Sequence, residues 1–174
     1  DGTDAVMLSG ETAIGEHPPH VVETMANIVN EVEQSEEYAE LRDQRLPESD
    51  RSQSDAIAHA ACELAEDIDA QAIVAASISG YTALKVAKFR PTRQIIASTP
   101  SDHVRRQLAL SRGIYPSTTT FTAQGAEEIV ENAVEAAKES GMAESGDKVV
   151  VVSGMMAEIE GAHSSNMLKV HEVN

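Results

Sequence analysis

Short apolar runs alternate with segments of helical spacing between residues 55 and 152, and this alternation constrains the fold more than any other feature of the sequence. Strands that are joined through helices pair in parallel, because each crossover returns the chain to the same end of the sheet. Lys148–Val152 contains four consecutive valines, which is typical of a central strand covered on both faces. The strands predicted from this alternation are Ala72–Ser77, Gln94–Ser98, Ile114–Thr120 and Lys148–Val152.

The segments between these strands carry apolar side chains at every third or fourth position, as amphipathic helices do. The final segment, Met167–Val173, alternates apolar and polar residues, which predicts an edge or antiparallel strand. The sequence therefore predicts an α/β fold with an open, mostly parallel five-stranded sheet and helices on both faces. The predicted helices start at Asp55, Thr82, Ser101 or Asp102, and Gly125, and they end near Ile68, Phe89, Leu110 and Ser140.

The first part of the chain has a different pattern. Ala5–Leu8 is too short and too continuously apolar for a helix, which predicts a strand. Pro18 and Pro19 suit the first turn of a helix whose apolar positions continue to Val32. The predicted organisation is a strand and helix in residues 1–46, a linker rich in turn formers in 47–54 and the α/β domain in 55–174.

The chain is strongly acidic, because 29 Asp and Glu against 13 Lys and Arg give a formal net charge of −16. Nucleic acid and anionic membrane are excluded as main partners, since both are bound through excess basic residues. Together with only 3% aromatic residues, this charge favours a halophilic microbe; an ordinary acidic cytosolic protein is the alternative. The single Cys62 excludes an intramolecular disulfide and suits a reducing cytoplasm, and no apolar run reaches membrane-spanning length.

Two short segments carry residues with chemical potential. Ser9 and Glu11 follow Ala5–Leu8 directly, and a hydroxyl and a carboxylate near ordered water can relay a proton to a reacting carbon. The alternative is that Ser9 and its neighbours only cap the next turn. The second segment follows the strand Ala72–Ser77 and opens a helix, where glycine, hydroxyls and backbone N–H groups can cradle a phosphate. Its candidate residues are Ser77, Ser79, Gly80, Tyr81 and Thr82, and the alternative is a plain strand-to-helix turn.

Two long motifs resemble one family in the same order. DGTDAVMLSGETAIGEHP in residues 1–18 and SGYTALKVAKFRP in residues 79–91 are similar to the C-terminal part of pyruvate kinase, and shorter matches continue to Val170. The resemblance covers essentially the whole chain. It implies that residues 1–46 hold the last strand and helix of a TIM barrel and that residues 55–174 form the C-terminal regulatory domain.

The resemblance also implies an activity for the longer parent protein, which would transfer a phosphoryl group from phosphoenolpyruvate to ADP. Ser9 and Glu11 would be catalytic there, near the water that serves protonation of the enolate. Mg and K would be bound by residues outside this chain, so we expect no cofactor and no activity in the fragment alone. The alternative is a free-standing regulatory module that binds a small phosphate.

Partners are implied in the same way. The parent is expected to be a homo-oligomer, a tetramer, and a phosphorylated effector is expected at Ser77–Thr82. Glu158 and Glu160 in a later loop would repel a second phosphate, so the effector is expected to carry only one. The basic cluster Lys85, Lys88, Arg90 and Arg93 is expected either to meet an acidic face of a neighbouring subunit or to balance the acidic surface.

Overall fold

The computed structural model describes residues 3–44, 52–119, 125–154 and 164–174, with the side chains of residues 41–44 left out. The chain divides into two units, Asp1–Leu46 and Pro47–Asn174. The first unit is helical, and the second contains the sheet.

The described residues of the first unit form three helices, α1 (Gly10–Ala13), α2 (Pro18–Glu33) and α3 (Glu36–Gln44). The prolines at the start of α2 occupy its first two positions, where a missing backbone N–H removes no helical hydrogen bond. The prediction of a strand at Ala5–Leu8 is wrong for this structure, because that segment belongs to no sheet. A strand needs a neighbour for its N–H and C=O groups, and the described part of this unit offers only helices.

An open apolar groove of about 400 Å³ lies within the first unit, between the Ala5–Leu8 segment and α2. Val6 and Val22 are each more than half exposed there. The unit therefore presents apolar side chains that its own described residues do not cover. The groove is lined by Val6, Leu8, Val22, Met25, Ala26, Val29 and Asn30.

The second unit is built around a five-stranded sheet in the order β3-β2-β1-β4-β5. The first four strands are parallel, and β5 runs antiparallel to β4 at the edge. The predicted mostly parallel five-stranded α/β fold is thus confirmed, including the antiparallel edge strand. The strands are β1 (Ala72–Ala76), β2 (Gln94–Thr99), β3 (Ile114–Thr118), β4 (Lys148–Ser153) and β5 (Met167–Glu172).

In the part of the second unit that the structure describes, four helices cover the two faces of this sheet: α4 (Gln53–Asp67), α5 (Tyr81–Lys88), α6 (Asp102–Leu108) and α7 (Ala126–Glu139). The central strands are buried on both sides, so alternate residues enter two separate cores. Ile73 and Val150 pack with α4 and α5, whereas Val74 and Val151 pack with α7. Each fully buried valine or isoleucine contributes about 1.5–3 kcal/mol, which makes these central strands the main source of cohesion.

Two serines cap helices, and of these the sequence predicts Ser101 but not Ser52. Ser101 Oγ accepts a hydrogen bond from the Val104 amide at 3.3 Å at the start of α6. Ser52 Oγ accepts one from the Asp55 amide at 3.1 Å, so α4 begins at Gln53, inside the predicted linker. Each such cap satisfies one N–H at the helix start and contributes about 1 kcal/mol.

Candidate functional site

The sheet has a topological switch point between β1 and β4. From β1 the chain continues through α5 and β2 to β3 on one side, and then crosses through α7 to β4 on the other side. At such a point the connections leave the carboxyl ends of neighbouring strands in opposite directions, which opens the crevice where such sheets bind ligands. The segment Ser77–Thr82, here named the candidate phosphate loop, follows β1 at this point.

The candidate phosphate loop enters α5 through a glycine. Gly80 has a φ of 83°, in the left-handed region that favours glycine. A Cβ on this residue would lie 3.0 Å from Val104 Cγ1 and 3.1 Å from Leu108 Cδ2, so the glycine also allows α6 to pack closely. Ser79 Oγ accepts a hydrogen bond from the Tyr81 amide at 3.3 Å. The loop backbone is therefore fixed by local geometry and by α6.

The hydroxyl groups of the loop differ in exposure. Ser79 is exposed and Tyr81 is half-buried, whereas Ser77 is only 1% exposed and Thr82 is fully buried. The Ser77 amide donates to the Ser98 carbonyl of β2 at 3.0 Å, which ties the loop to the sheet. The sequence prediction treated all of these hydroxyls as equivalent donors. In the structure Ser77 and Thr82 are buried within the domain, and Ser79 is the exposed serine of the loop.

Thr82 is held by a residue that the sequence analysis did not single out. Ser165 Oγ donates to Thr82 Oγ1 at 3.1 Å, and the Ser165 amide donates to Ser54 Oγ at 2.8 Å. The Ser165 carbonyl accepts from Gln53 Nε2 at 3.4 Å. Ser165 is fully buried, and each of its three polar groups has a partner. Only the fold brings it here, because Ser165 follows Thr82 by 83 positions.

A buried ion cluster lies beside this network. Asp55 is fully buried, and its carboxylate contacts both Lys85, with Nζ 2.7 Å from Oδ1, and Lys88. The two lysines of the predicted basic cluster therefore neutralise a buried carboxylate, a role that the sequence analysis did not consider. Arg93 of the same cluster pairs with the exposed Asp69 at 2.6 Å. The sequence signal for Asp55 was the spacing Ser52-x-x-Asp55, which resembles a capping box.

The neighbouring helix α6 carries its own charge compensation. Arg105 Nη2 lies 2.7 Å from Asp102 Oδ1, and Arg106 Nη2 lies 2.7 Å from Asp102 Oδ2. The hydrogen bond from Arg105 is the largest cause that holds the pKa of the Asp102 carboxyl below its ordinary value; desolvation opposes it, and the hydrogen bond from Arg106 and the two guanidinium charges add to the lowering. The negative charge of Asp102, the first residue of α6, is thus balanced by the guanidinium groups of Arg105 and Arg106.

The predicted catalytic residues lie in the first unit, at the start of α1. The Ser9 carbonyl accepts hydrogen bonds from the amides of Thr12 and Ala13, at 3.1 and 2.9 Å, and from Thr12 Oγ1 at 3.0 Å. The Ser9 hydroxyl makes no capping hydrogen bond. Ser9 and Glu11 are both exposed. The backbone of Ser9 therefore starts the helix, and its hydroxyl is not used for capping.

The remaining sequence predictions concern charge, metals and membranes. Glu158 and Glu160 lie outside the described residues. In the ranges that the structure describes, no group of three or more His, Cys, Asp or Glu residues is arranged to hold a metal ion. Within those same ranges, every helix is too short or too polar to cross a bilayer.

The fold and the site define a class: an open α/β domain of the doubly wound type, with a polar loop at the switch point of its sheet. A family model described as the pyruvate kinase alpha/beta domain matches residues 55–171. The chain belongs to the pyruvate kinase family and contains the C-terminal α/β domain of that family, as the sequence motifs predict.

Individual relatives match nearly the whole chain. It is 40% identical over 173 residues to a pyruvate kinase of Clostridium acetobutylicum, which covers 99% of this chain and 36% of that relative. It is 41% identical over 174 residues to a pyruvate kinase of Geobacillus stearothermophilus, with coverage of 100% and 29%. A crystal structure of a pyruvate kinase from Cryptosporidium parvum matches with a TM-score of 0.80 at 31% identity and covers 97% of this chain and 33% of that one. The chain thus spans about a third of the length of the relatives that it matches.

Proposed function

We propose that the chain is the C-terminal part of a phosphotransferase that converts phosphoenolpyruvate and ADP to pyruvate and ATP. The supporting observation is the match of nearly the whole chain, including residues 1–46, at 40% identity to pyruvate kinases that are about three times as long. The apolar groove beside α2 agrees with this proposal, because a barrel helix packs its apolar face on the rest of the barrel. The fragment alone is expected to be inactive.

Ser9 and Glu11 are proposed to take part in proton transfer in the longer protein. A hydroxyl that makes no capping bond, beside an exposed carboxylate, is suited to hold ordered water near a reacting carbon. Mg and K would supply charge stabilisation for phosphoryl transfer, and the residues that bind them are expected outside this chain. This chain's own contribution is limited to holding water and moving a proton at the Ser9 hydroxyl and the Glu11 carboxylate.

The test uses the intact protein and this chain side by side, with pyruvate production measured in the presence of phosphoenolpyruvate, ADP, Mg and K. Activity of the intact protein is expected to fall on the order of a hundredfold in kcat in Glu11→Gln or Ser9→Ala, with smaller changes in KM. Ile14→Ala serves as a control, because this side chain is 91% exposed in the same unit and has no group that can transfer a proton. An inactive intact protein would overturn the assignment, and unchanged kcat in both variants would overturn the relay.

The second unit is proposed to be a regulatory domain that binds a monophosphate at the candidate phosphate loop. The loop lies at the switch point and opens a helix, so its amides and the exposed Ser79 hydroxyl can face an anion. Ser77, Gly80, Tyr81 and Thr82 would set the loop geometry. The free-standing phosphate-binding module is the second candidate, and it is favoured because the second unit is compact and its described residues form a sheet with a core on each face.

Assembly and location follow from the same assignment. We propose that the parent is a homotetramer in the cytoplasm and that β5 contributes to pairing or packing between subunits. The outer edge of β5 supports this, because among the described strands β5 pairs with β4 alone. A halophilic source is proposed from the net charge of −16. A parent that stays monomeric from micromolar to millimolar concentration, measured by sedimentation, would contradict the tetramer.

A further inference from the structure

We propose that Ser165 couples the candidate phosphate loop to the first turn of α4, so that a ligand held by the loop also orders the start of that helix. The proposal rests on the effector function proposed above for the loop. It assigns Ser165 as a positioning residue, which acts through Thr82 and Ser54.

Ser165 donates one hydrogen bond to each of the two helices. Its hydroxyl donates to Thr82 in the first turn of α5, and its amide donates to the hydroxyl of Ser54 in the first turn of α4. All three residues are buried, at 0%, 0% and 3% exposure for Ser165, Thr82 and Ser54. Buried polar groups that lose a partner cannot turn to water instead, so the loss of either bond leaves a buried group unpaired at a cost. Ser165 thus joins the starts of two helices.

Each residue from Ser52 to Asp55, at the start of α4, makes a hydrogen bond or an ion pair. Ser52 caps the helix, Gln53 and Ser54 bind the two backbone groups of Ser165, and Asp55 binds the lysines of α5. The contacts of these four consecutive residues lie within the turn itself, with Ser165, or with the lysines of α5. The start of α5 is linked to this turn through Thr82 and Ser165, and the last turn of α5 is linked to it through Lys85 and Lys88.

This turn is also the first described part of the second unit. The two units divide at Leu46 and Pro47, and α4 begins at Gln53. The proposed coupling concerns the order of this first turn of α4. A ligand can shift this order only if it binds better when the loop is fixed, and the same coupling must then make an ordered α4 improve ligand binding.

The first experiment needs no ligand and measures amide hydrogen exchange by NMR in the 174-residue chain. The Ala56 amide donates to the Ser52 carbonyl and reports on α4, and the Leu84 amide donates to the Gly80 carbonyl and reports on α5. Ser165→Ala and Thr82→Val each remove the hydroxyl bond between the two helices. Each is expected to accelerate exchange at both amides about tenfold, the effect of losing one buried hydrogen bond.

The double variant of Ser165→Ala with Thr82→Val is expected to match the single variants, because both changes remove the same bond. The matched control is Ser101→Ala, which removes the cap of α6 and should accelerate only the Arg105 amide, whose bond to the Ser101 carbonyl is 2.9 Å. Unchanged exchange at Ala56 in Thr82→Val, or a double variant that shows the product of the single effects, would overturn the coupling.

The second experiment adds inorganic phosphate or ribose 5-phosphate to the wild-type chain and to Ser165→Ala. Binding is followed by shifts of the Ser79 and Tyr81 amide resonances. We expect exchange at Ala56 to slow in the wild type and to stay unchanged in Ser165→Ala. Binding that leaves Ala56 unchanged in the wild type would overturn the coupling of ligand to helix. If neither phosphate binds, the effector function proposed for the loop is overturned. The exchange measured without ligand would then still test whether Ser165 links α4 to α5.

Discussion

Lys85 Nζ lies 2.7 Å from Oδ1 of Asp55, a carboxylate with no exposed surface, and Lys88 contacts the second oxygen of the same group. The pair joins the first turn of α4 to the last turn of α5. A buried charge is tolerated only when opposite charges and hydrogen bonds replace the water that it loses. The two lysines, which remain partly exposed, therefore make it possible for Asp55 to be ionised inside the domain.

Asp55→Asn is expected to lower the free energy of unfolding by about 3–5 kcal/mol, because two half-buried ammonium groups lose their counter-charge. The matched control is Asp69→Asn, which removes the exposed partner of Arg93 and should cost about 1 kcal/mol or less. Urea denaturation of both variants gives the comparison. Equal losses in the two variants would contradict the assigned role of burial.

The helices and strands of the second unit are predictable from the sequence because each is set by a local pattern of residues. The valines of Lys148–Val152 are contiguous, as in a strand that is buried on both faces. The apolar residues of α7 are regularly spaced, as in a helix that is buried on one face. The cap at Ser101 was predicted for the same reason, since its partner amide is three residues away. Contacts over long sequence separations were not predictable. Asp55 and Lys85 are 30 positions apart, and Ser165 reaches Ser54 over 111.

The prediction of a strand at Ala5–Leu8 is wrong because a local pattern does not supply the neighbouring strands that a strand needs. The apolar content of this segment indicates a strand, and the resemblance places it in a barrel. Strand formation depends on backbone partners from neighbouring strands, and the described part of the first unit provides none. Without such partners the apolar segment forms no strand, Val6 is exposed, and an apolar groove lies beside α2.

Gly80→Ala is expected to destabilise the second unit for two reasons. A positive φ costs a residue with a Cβ about 1–2 kcal/mol, and this Cβ would also press on Val104 and Leu108. Gly141→Ala separates the two effects, since Gly141 has a φ of 71° but no neighbouring atom within 4 Å of the point where a Cβ would lie. The larger loss of unfolding free energy should occur at Gly80, and equal losses would show that packing of α6 is irrelevant.

Cys62 is expected to be unreactive in the folded protein. Burial, assisted by the negative charges of Glu66 and Glu63, raises the pKa of its thiol to about 12, so almost no thiolate exists at neutral pH. A disulfide exchange reagent at pH 8 should label Cys62 only after urea is added. Labelling of the native chain at the rate of the unfolded chain would contradict its burial.

The same thiol predicts a dependence of stability on pH. The unfolded thiol ionises at its ordinary pKa of 9.0 and the folded one at about 12. The stabilising contribution is therefore complete below pH 9 and is lost as the pH rises from 9 towards 12. Cys62→Ala is the reference, and in this window its unfolding free energy should fall less steeply than that of the wild type. Parallel curves would contradict the raised pKa.

Salt is expected to stabilise the chain. With a net charge of −16, like charges repel one another in dilute buffer, and the Debye length falls to about 3 Å at 1 M salt. The thermal midpoint should rise from dilute to molar potassium chloride, and potassium bromide should give the same rise at low ionic strength because screening does not depend on the anion. A thermal midpoint that stays flat or falls would contradict halophilic adaptation and would favour an ordinary acidic surface.

The candidate phosphate loop makes a final prediction about ligand charge. Its exposed side-chain hydroxyl is that of Ser79, and the amides at the start of α5 can receive one phosphate group. Ribose 5-phosphate or AMP is therefore expected to bind more tightly than fructose bisphosphate in titration calorimetry. Ser79→Ala should weaken binding about tenfold, the loss of one hydrogen bond to a charged group, whereas Ser117→Ala on β3 should leave it unchanged. Tighter binding of the bisphosphate would overturn the preference for one phosphate, and no binding of any of the three would favour a plain strand-to-helix turn.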